Sequence, residues 1–264
     1  MRKRAGAPLT ARVFAGTPTG MEARVHVIGA GLAGLAAALS LAKAGRAVTI
    51  HEAGPAAGGR CRSYFDRALG LTIDNGNHLL LSGNRDAFAY LDEIGGAGAL
   101  AGPDQPMFPF LDLRDGARWV LRPNPGRLPW WVLAPSRRVP GTRARDYVRL
   151  LDLRSIADDR SVAEAVPAGV LYDRLLAPLA IAALNTRPEA GLARLLGAVV
   201  RETLMQGGEA CVPRFPRGGL SAAFVDPALA RLAALGAEPR FGRRVAALTI
   251  TDSRVSALHP PDGD

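Results

Sequence analysis

The chain has 264 residues, 48% of them hydrophobic, so it can bury one large core or two intertwined cores rather than form a string of small modules. Its formal net charge is +9, and nearly all the basic residues are arginines. These arginines are scattered, and no aromatic side chains that could stack on bases lie between them, which argues against nucleic-acid binding. Scattered positive charge is better suited to an anionic membrane surface. Two cysteines, Cys61 and Cys211, are too few for a disulfide framework. Neither of them lies near histidines at the spacing of metal ligands.

Residues 1–20 mix arginine with small residues and lack the continuous apolar segment of a secretory signal. We therefore expect a disordered leader, with Met21 as an alternative start. The expected location is the cytoplasm, at the inner face of the membrane. The next stretch, Val25 to Ala42, is apolar enough to suggest a membrane span, but it holds three glycines at binding-loop spacing and a histidine. It is interpreted as a buried strand and helix.

A βαβ unit is predicted at the start of the globular chain. Val25–Ile28 forms a short β-rich run, Gly29–Gly34 a turn, and Leu35–Ala44 an alanine-rich helix that Gly45 stops. Ala47–Ile50 then reads as a second, parallel strand. A strand, helix and strand in this order must cross over in the right-handed sense.

The turn of this unit has the spacing G-x-G-x-x-G. Gly29 would permit the tight turn, Gly31 would let backbone N–H groups approach a pyrophosphate, and Gly34 would let the helix pack close to the strand. The first helical N–H groups, at Leu32 and Ala33, would then face the phosphate charge at the positive end of the helix dipole. These five residues are predicted cofactor contacts.

An acidic residue follows the second strand at the position that a dinucleotide site requires. Glu52, with Ala53 beside it, lies twenty-one residues after Gly31, where its carboxylate can accept hydrogen bonds from ribose hydroxyls and would repel the 2′-phosphate of NADP. The alternative is a flexible glycine loop with a solvated surface glutamate.

A second glycine motif, Gly58-Gly59-Arg60, begins six residues after Glu52. Paired glycines beside a guanidinium suit a second approach to a diphosphate or a flavin. An ordinary Gly-Gly turn with a surface arginine is an equally good interpretation of this motif alone.

Strands and a helix are predicted in the residues that follow. Leu71–Ile73 is predicted as a strand entering a Gly/Asn loop, and Asp86–Ile94 as a helix that Gly95 ends. Phe108–Leu113 and Arg118–Leu121 flank Asp115-Gly116, a strong hairpin signal.

From Ala144 to Met205 the pattern becomes helical, with breaks expected at Pro167, Pro178 and Pro188. The end returns to α/β character, with a helix over Ala222–Leu235. Two strands, Val245–Ile250 and Arg254–Leu258, are predicted about an Asp252-Ser253 turn.

The motifs carry a family resemblance. Val25 to Arg60 resembles the N-terminal signature of the FAD-dependent amine oxidase and phytoene desaturase superfamily. Within it, the chain is similar to the squalene-associated FAD-dependent desaturases, also described as hydroxysqualene dehydroxylases. The segments that carry the closer likeness are IDNGNHLLLS at 73–82, LPWW at 128–131, RVPGT at 138–142, PLAIAALNT at 178–186 and PRGGL at 216–220.

The resemblance implies an α/β fold: a Rossmann-like, GR2-type FAD-binding domain with a mainly helical substrate-domain insertion that contains a small β-hairpin. The expected division is a leader at 1–20, the first part of the FAD domain at 21–104, the insertion at 105–210 and the second part at 211–264. These enzymes usually continue past this length and end with another Gly-Asp contact to FAD. We therefore expect C-terminal truncation.

The activity that the resemblance implies is reductive removal of the hydroxyl from hydroxysqualene, giving squalene for hopanoid synthesis, with FAD as cofactor and an apolar isoprenoid as substrate. Peripheral membrane association would suit such a substrate. A carotenoid-type desaturase, an amine oxidase and an inactive dinucleotide-binding fragment remain open.

A loop in the 73–78 segment matches the D-x-G-x-H segment that the family carries near the flavin. Asn75 and Gly76 are therefore predicted cofactor contacts, and His78 is the candidate catalytic proton donor. Alternatively, Asp74 and Asn75 hold a turn and His78 is a satisfied polar residue.

Five aromatic residues precede the helical segment: Phe108, Phe110, Trp119, Trp130 and Trp131. They suit either an apolar channel or membrane interface, or the core of a hairpin lobe.

Overall fold

A computed structural model describes residues 24–76 and 79–261. They fall into two compact units, the first made of the chain up to Gly59 and from Leu229 onward, the second of Arg60–Ala228. The predicted leader at 1–20 lies outside the described residues. The predicted functional division, with borders after residues 104 and 210, stays a prediction.

The first unit contains the predicted βαβ arrangement. Its elements are the strand Val25–Ile28 (β1), the helix Leu32–Lys43 (α1) and the strand Val48–His51 (β2). β1 and β2 are parallel, with Val25 opposite Val48 and Ile28 opposite His51. α1 begins three residues before the predicted start because Gly31, in extended conformation, already serves as its N-cap.

A third parallel strand, Pro239–Arg240, pairs with the other edge of β2, which gives the order β1, β2, Pro239–Arg240. α1 packs on β1 and β2 and buries Leu35, Ala38 and Leu39 against the strands. The sheet therefore depends on strands that are almost two hundred residues apart in sequence.

The C-terminal hairpin prediction is confirmed. Ala247–Thr251 and Arg254–His259 pair in antiparallel fashion. Asp252 and Ser253 both have positive φ, the backbone form that a tight two-residue turn between twisted strands requires.

The second unit carries its strands as hairpins and one short sheet. Ser63–Asp66 pairs with Leu71–Asp74, and Phe108–Leu111 pairs with Arg118–Leu121 about the predicted Asp115-Gly116 turn. A strand that the sequence did not indicate, Pro213–Pro216, lies between Leu80–Leu81 and Leu100–Ala101.

The other regular elements of this unit are helices. The predicted helix before Gly95 spans Arg85–Ile94, with Asn84 accepting a hydrogen bond from the Ala87 N–H as its cap. The other α-helices are Arg149–Asp152, Val162–Ala165, Ala177–Leu184, Ala193–Glu202 and, running into the first unit, Asp226–Ala234. The 3₁₀ helices are Ala97–Ala99, Trp130–Leu133, Pro135–Arg137, Ala144–Val148, Leu153–Ser155 and Gly208–Cys211.

One predicted helix break is wrong. Pro178 lies in the first turn of Ala177–Leu184, and a π-helical turn, Tyr172–Leu176, leads into that helix without interruption. A proline is tolerated there because the wide preceding turn can accommodate its ring and its missing N–H. A second π-helical turn, Ser221–Val225, similarly precedes Asp226–Ala234.

The aromatic residues divide between core and surface. Trp131 is buried and meets the Tyr147 ring edge-on at 5.1 Å, in a cluster that also contains Leu150, Leu176 and Leu196. Phe110 and Trp119 stack on the hairpin and pack against the same cluster. Trp130, next to Trp131, is half exposed.

Within residues 24–76 and 79–261, no helix combines the length and apolar character needed to cross a bilayer. In the same part of the chain, no three His, Cys, Asp or Glu side chains are grouped to hold a metal ion. Cys61 and Cys211 are both free thiols.

Candidate functional site

The glycine turn after β1 has the geometry that its spacing predicts. The Gly29 N–H donates to the His51 carbonyl at 2.7 Å, and Gly29 has φ of +93°, a conformation that side chains disfavour. A Cβ on Gly34 would lie 1.9 Å from the Gly29 carbonyl oxygen. Gly34 therefore lets α1 pass directly over the turn.

Gly31 faces open space. A Cβ built on it would meet no atom within 4 Å, although its φ of −71° is open to any residue. The protein backbone itself thus gives no reason for glycine at this position. A close-approaching ligand does, as the pyrophosphate interpretation requires.

The second glycine motif packs on the first. The Gly58 N–H donates to the Ala30 carbonyl at 2.8 Å, and Gly58 forms a parallel bridge with Gly31. Gly58 and Gly59 both have positive φ, and a Cβ on Gly59 would lie 3.3 Å from the Gly31 Cα. Two motifs that are separate in sequence therefore form one glycine-lined surface.

The start of α1 is open to an anion. No side chain caps the helix at Gly31, and its first turn, which includes Leu32 and Ala33, has no acidic residue. The first N–H groups of a helix carry its positive dipole end and need acceptors. A diphosphate over Gly31 would supply them.

Glu52 is fixed by the glycine turn that it was predicted to serve. One of its carboxylate oxygens accepts from the Ala30 N–H at 2.7 Å, and the other accepts from the Gly54 N–H at 2.7 Å. Each oxygen keeps a second lone pair, so ribose hydroxyls can still donate to the same carboxylate. Ala53 lies in the loop between these contacts.

The backbone of Glu52 is held by the strand Pro239–Arg240 and the residues just after it, which lie far from Glu52 in sequence. The Glu52 N–H donates to the Arg240 carbonyl at 2.9 Å, and the Arg243 N–H donates to the Glu52 carbonyl at 2.8 Å. The third strand of the sheet thus positions the acid.

Replacing Glu52 by Gln should weaken FAD binding. The side-chain amide is uncharged, so the hydrogen bonds that ribose hydroxyls would donate to the carboxylate lose their charge assistance, at a cost of about 2 kcal/mol, or roughly 30-fold in affinity. Flavin fluorescence titration measures the change. Glu238→Gln, at an exposed position of the same unit, is the control. Equal affinities of the two variants would contradict the role.

A histidine pair borders Glu52. His26 Nδ1 and His51 Nε2 are 2.9 Å apart, and the two rings stack at 5.2 Å. Burial lowers the pKa of His51, and the nearby charges of His26, Arg240 and Arg243 lower it further. Both effects favour the neutral form of the His51 imidazole.

The remaining predicted cofactor residues belong to the second unit. The Asn75 side-chain amide donates to the Arg60 carbonyl at 3.2 Å, and the Asn75 N–H donates to the Arg62 carbonyl at 2.9 Å. Gly76 follows directly, and the catalytic candidate His78 lies outside the described residues. Flavin contacts by Arg60, Asn75 and Gly76 stay predictions.

Asp74 has structural partners within this unit. Its Oδ1 accepts from the Ser63 hydroxyl at 2.6 Å and from the Leu220 N–H at 2.8 Å. Ser63 and Ser221 each accept a backbone N–H bond from the other, at 3.0 and 2.8 Å. We call Ser63, Asp74, Leu220 and Ser221 the Asp74 network.

Gly219 completes the Asp74 network. It has φ of +90°, and a Cβ there would lie 2.7 Å from the Ser63 hydroxyl oxygen and 3.0 Å from Asp74 Oδ1. The network therefore fixes the PRGGL segment, 216–220, to the hairpin that ends at Asp74. Its residues other than Asp74 were not identified as functional from the sequence.

The thiol near this network is inert. Burial raises the pKa of Cys61 to about 11, and the negative charge of Asp74 contributes in the same direction. The neighbouring Tyr90 hydroxyl donates to the Phe224 carbonyl at 2.8 Å. Cys61 is thus protonated at neutral pH and is no candidate nucleophile.

The sequence profile of one family matches nearly the whole described chain. Residues 32–263 match the flavin containing amine oxidoreductases.

Two curated relatives are similar to this chain over most of its length. The chain is 52% identical over 239 residues to a hydroxysqualene dehydroxylase of Rhodopseudomonas palustris and 47% identical over 239 residues to one of Sinorhizobium fredii. Each alignment covers 90% of this chain and 57% of the relative. The chain therefore spans little more than half the length of these proteins.

A solved structure shares the fold. An oxidoreductase from Methanosarcina mazei superposes with a TM-score of 0.61 at 18% identity, covering 91% of this chain and 57% of that one. At this identity the likeness concerns the fold alone, and agrees with an α/β architecture.

Proposed function

Because the chain belongs to the family of flavin containing amine oxidoreductases, whose cofactor is FAD, we propose that it provides the nucleotide-binding part of an enzyme that reductively removes the hydroxyl of hydroxysqualene and gives squalene. The observation that carries this proposal is the 52% identity over 239 residues to a hydroxysqualene dehydroxylase. Supply of squalene for hopanoid synthesis follows from the same reaction.

The geometry of the first unit supports the FAD part. Space over Gly31, the uncapped start of α1 and the fixed Glu52 carboxylate match the pyrophosphate and ribose of a dinucleotide. Gly58 and Gly59 extend this surface without side chains. We assign these residues to the adenosine diphosphate half of FAD, and Arg60, Asn75 and Gly76 to the flavin half.

Reduced FAD, when bound, would supply the hydride that replaces the hydroxyl. The departing oxygen needs a proton, so that it leaves as water. We assign its delivery to an imidazole nitrogen of His78, whose ordinary pKa near neutrality suits a general acid. The apolar side chains of the second unit would orient an isoprenoid and exclude water.

Exchange of His78 for Phe should lower turnover about 100-fold, the usual contribution of a general acid, while FAD stays bound. Single-turnover oxidation of the reduced flavin by hydroxysqualene measures the step, and the visible flavin spectrum reports binding. His259→Phe is the matched control, since His259 lies in the C-terminal hairpin. Unchanged turnover in His78→Phe would remove His78 from this role.

The proposal as a whole is tested by incubating the reduced, FAD-loaded protein with hydroxysqualene and, separately, with a primary amine and with a carotenoid precursor. Squalene as the product supports the proposal, and conversion of the amine or the carotenoid precursor instead would replace it. A purified chain without flavin absorbance would support the alternative of a dinucleotide-binding fragment, and a length-matched piece of the Rhodopseudomonas palustris relative provides the comparison.

We also propose peripheral membrane association. An isoprenoid without a charged group resides in a bilayer, and the surplus of arginine would be attracted to anionic lipid.

A further inference from the structure

The second unit exposes an apolar turn that its core does not need. Leu128 and Leu133 are 82% and 68% exposed, and Trp130 is 49% exposed, on and just before the helix Trp130–Leu133. Trp131, in the same helix, is 3% exposed and anchors the turn in the core. The turn therefore presents large apolar side chains outward from a fixed base.

The stretch of sequence that contains this turn is rich in arginine and free of acidic residues. Residues 117–145 contain seven arginines and neither aspartate nor glutamate. The Arg137 guanidinium lies 4.6 Å from the centre of the Trp130 ring. Arg138 Nη1 donates to the carbonyl of Val132 at 2.8 Å. Two positive charges are thus held beside the exposed apolar side chains.

An apolar cavity opens next to the same turn. Its volume is about 190 Å³, and its walls include Pro129, Trp131, Tyr147 and Leu150. Val148 and Leu151, which also line it, are more than half exposed. Arg127 lies at the cavity and donates to the Gln206 side-chain oxygen at 3.0 Å.

We propose that the surface formed by Arg127, Leu128, Trp130, Leu133, Arg137 and Arg138, the Trp130 face, docks on an anionic lipid bilayer. Its leucines and tryptophan would enter the interface and its arginines would meet lipid phosphates. The adjoining cavity then receives one end of an apolar chain from the bilayer, a step that rests on the proposed isoprenoid substrate.

The charges favour lipid over another copy of the chain. Two Trp130 faces brought together would place arginines of like sign against each other in a partly dry interface, which costs free energy. An anionic bilayer supplies the opposite charge and an apolar interior at the depth that an exposed tryptophan reaches.

Flotation with lipid vesicles tests the proposal and needs neither FAD nor hydroxysqualene. We expect binding to vesicles of phosphatidylcholine with 30% phosphatidylglycerol, much weaker binding to pure phosphatidylcholine, and release at high salt. Arg127→Gln with Arg137→Gln should lower the partition coefficient about 30-fold, since each interfacial arginine contributes roughly a factor of five. Arg67→Gln with Arg187→Gln, at exposed positions of the same unit, should leave it unchanged.

The contribution of the apolar side chains is tested by a second pair of variants, one on the Trp130 face and one control. Leu133→Ser should lower the partition coefficient about tenfold. Leu113→Ser, at an 87% exposed position on the Phe108–Leu121 hairpin, should not. Brominated lipids should quench tryptophan fluorescence of the bound protein, and Trp130→Phe should remove most of that quenching, because Trp131 is buried.

Equal binding to neutral and anionic vesicles would overturn the proposal, and so would face variants that bind like their controls. A dimer in light scattering that the face variants abolish would assign the surface to a second copy instead. Vesicle binding without dehydroxylation would contradict only the proposed function, whereas dehydroxylation in detergent without vesicle binding would contradict only the docking surface.

Discussion

Gly34→Ala is expected to abolish FAD binding and to unfold the glycine turn of the first unit. The new Cβ would lie 1.9 Å from the Gly29 carbonyl oxygen and 3.1 Å from its carbon, both of them backbone atoms. α1 must therefore move away from β1, at a cost of about 3 kcal/mol. Hydrogen exchange of residues 25–51, followed by mass spectrometry, should show loss of protection.

Gly31→Ala is the matched control and separates folding from binding. Its Cβ meets no protein atom within 4 Å and its φ is ordinary, so protection of residues 25–51 should remain. A methyl group in the space assigned to the pyrophosphate should still lower FAD affinity by at least tenfold. If Gly31→Ala bound FAD normally, the pyrophosphate would have to lie elsewhere. If Gly34→Ala kept full protection, the packing argument would be wrong.

Asp74→Ala should destabilise the second unit by about 3 kcal/mol, because the Ser63 hydroxyl and the Leu220 N–H both lose a charged acceptor. All three tryptophans, at 119, 130 and 131, lie in this unit, so urea unfolding followed by tryptophan fluorescence reports on it directly. The loss would leave Gly219 and the PRGGL segment without their anchor.

Asp74→Asn provides the control, since its amide oxygen can still accept both hydrogen bonds. We expect it to lose only about 1 kcal/mol. A double-mutant cycle between Asp74→Ala and Ser63→Ala should show coupling, because the two side chains are bonded at 2.6 Å. Additive effects, or equal losses in Asp74→Ala and Asp74→Asn, would show that the Asp74 network does not act through this carboxylate.

The βαβ unit and both predicted hairpins could be read from the sequence because their signals are local. β1, the glycine turn and α1 follow each other without a gap, and the Asp115-Gly116 and Asp252-Ser253 turns lie directly between their strands. Hydrophobic period and turn residues suffice over such distances. Glu52 was found for the same reason, as the first residue after β2.

The missed features depend on residues far apart in sequence. Pro213–Pro216 begins and ends with proline, which argues against a strand, and it pairs with two-residue strands more than a hundred positions earlier. Ser63 and Ser221 are 158 residues apart. No local pattern shows that they share a network with Asp74. The sequence alone therefore could not show whether Asp74 belongs to a flavin-binding motif or anchors the structure.

The hydrogen bonds that hold the backbone of Glu52 could not be predicted for the same reason. Arg240 and Arg243 hold it through backbone atoms, so their side-chain identity carries no signal. The backbone conformations of Gly58 and Gly59 could not be predicted from the sequence either. In sequence they suited an ordinary turn equally well, and only their contact with Ala30 and Gly31 joins them to the first motif.

The first unit is assembled from two segments that are separated by residues 60–228, and this sets an order for its synthesis on the ribosome. β2 is made early, but its partner strand ends at Arg240, after the whole of Arg60–Ala228 has been translated. At about 5 to 20 residues per second, the interval is roughly 10 to 40 s. During that time the β2 edge lacks this partner, so a cell making this protein must keep an apolar strand from pairing with neighbouring chains until Arg240 has been translated.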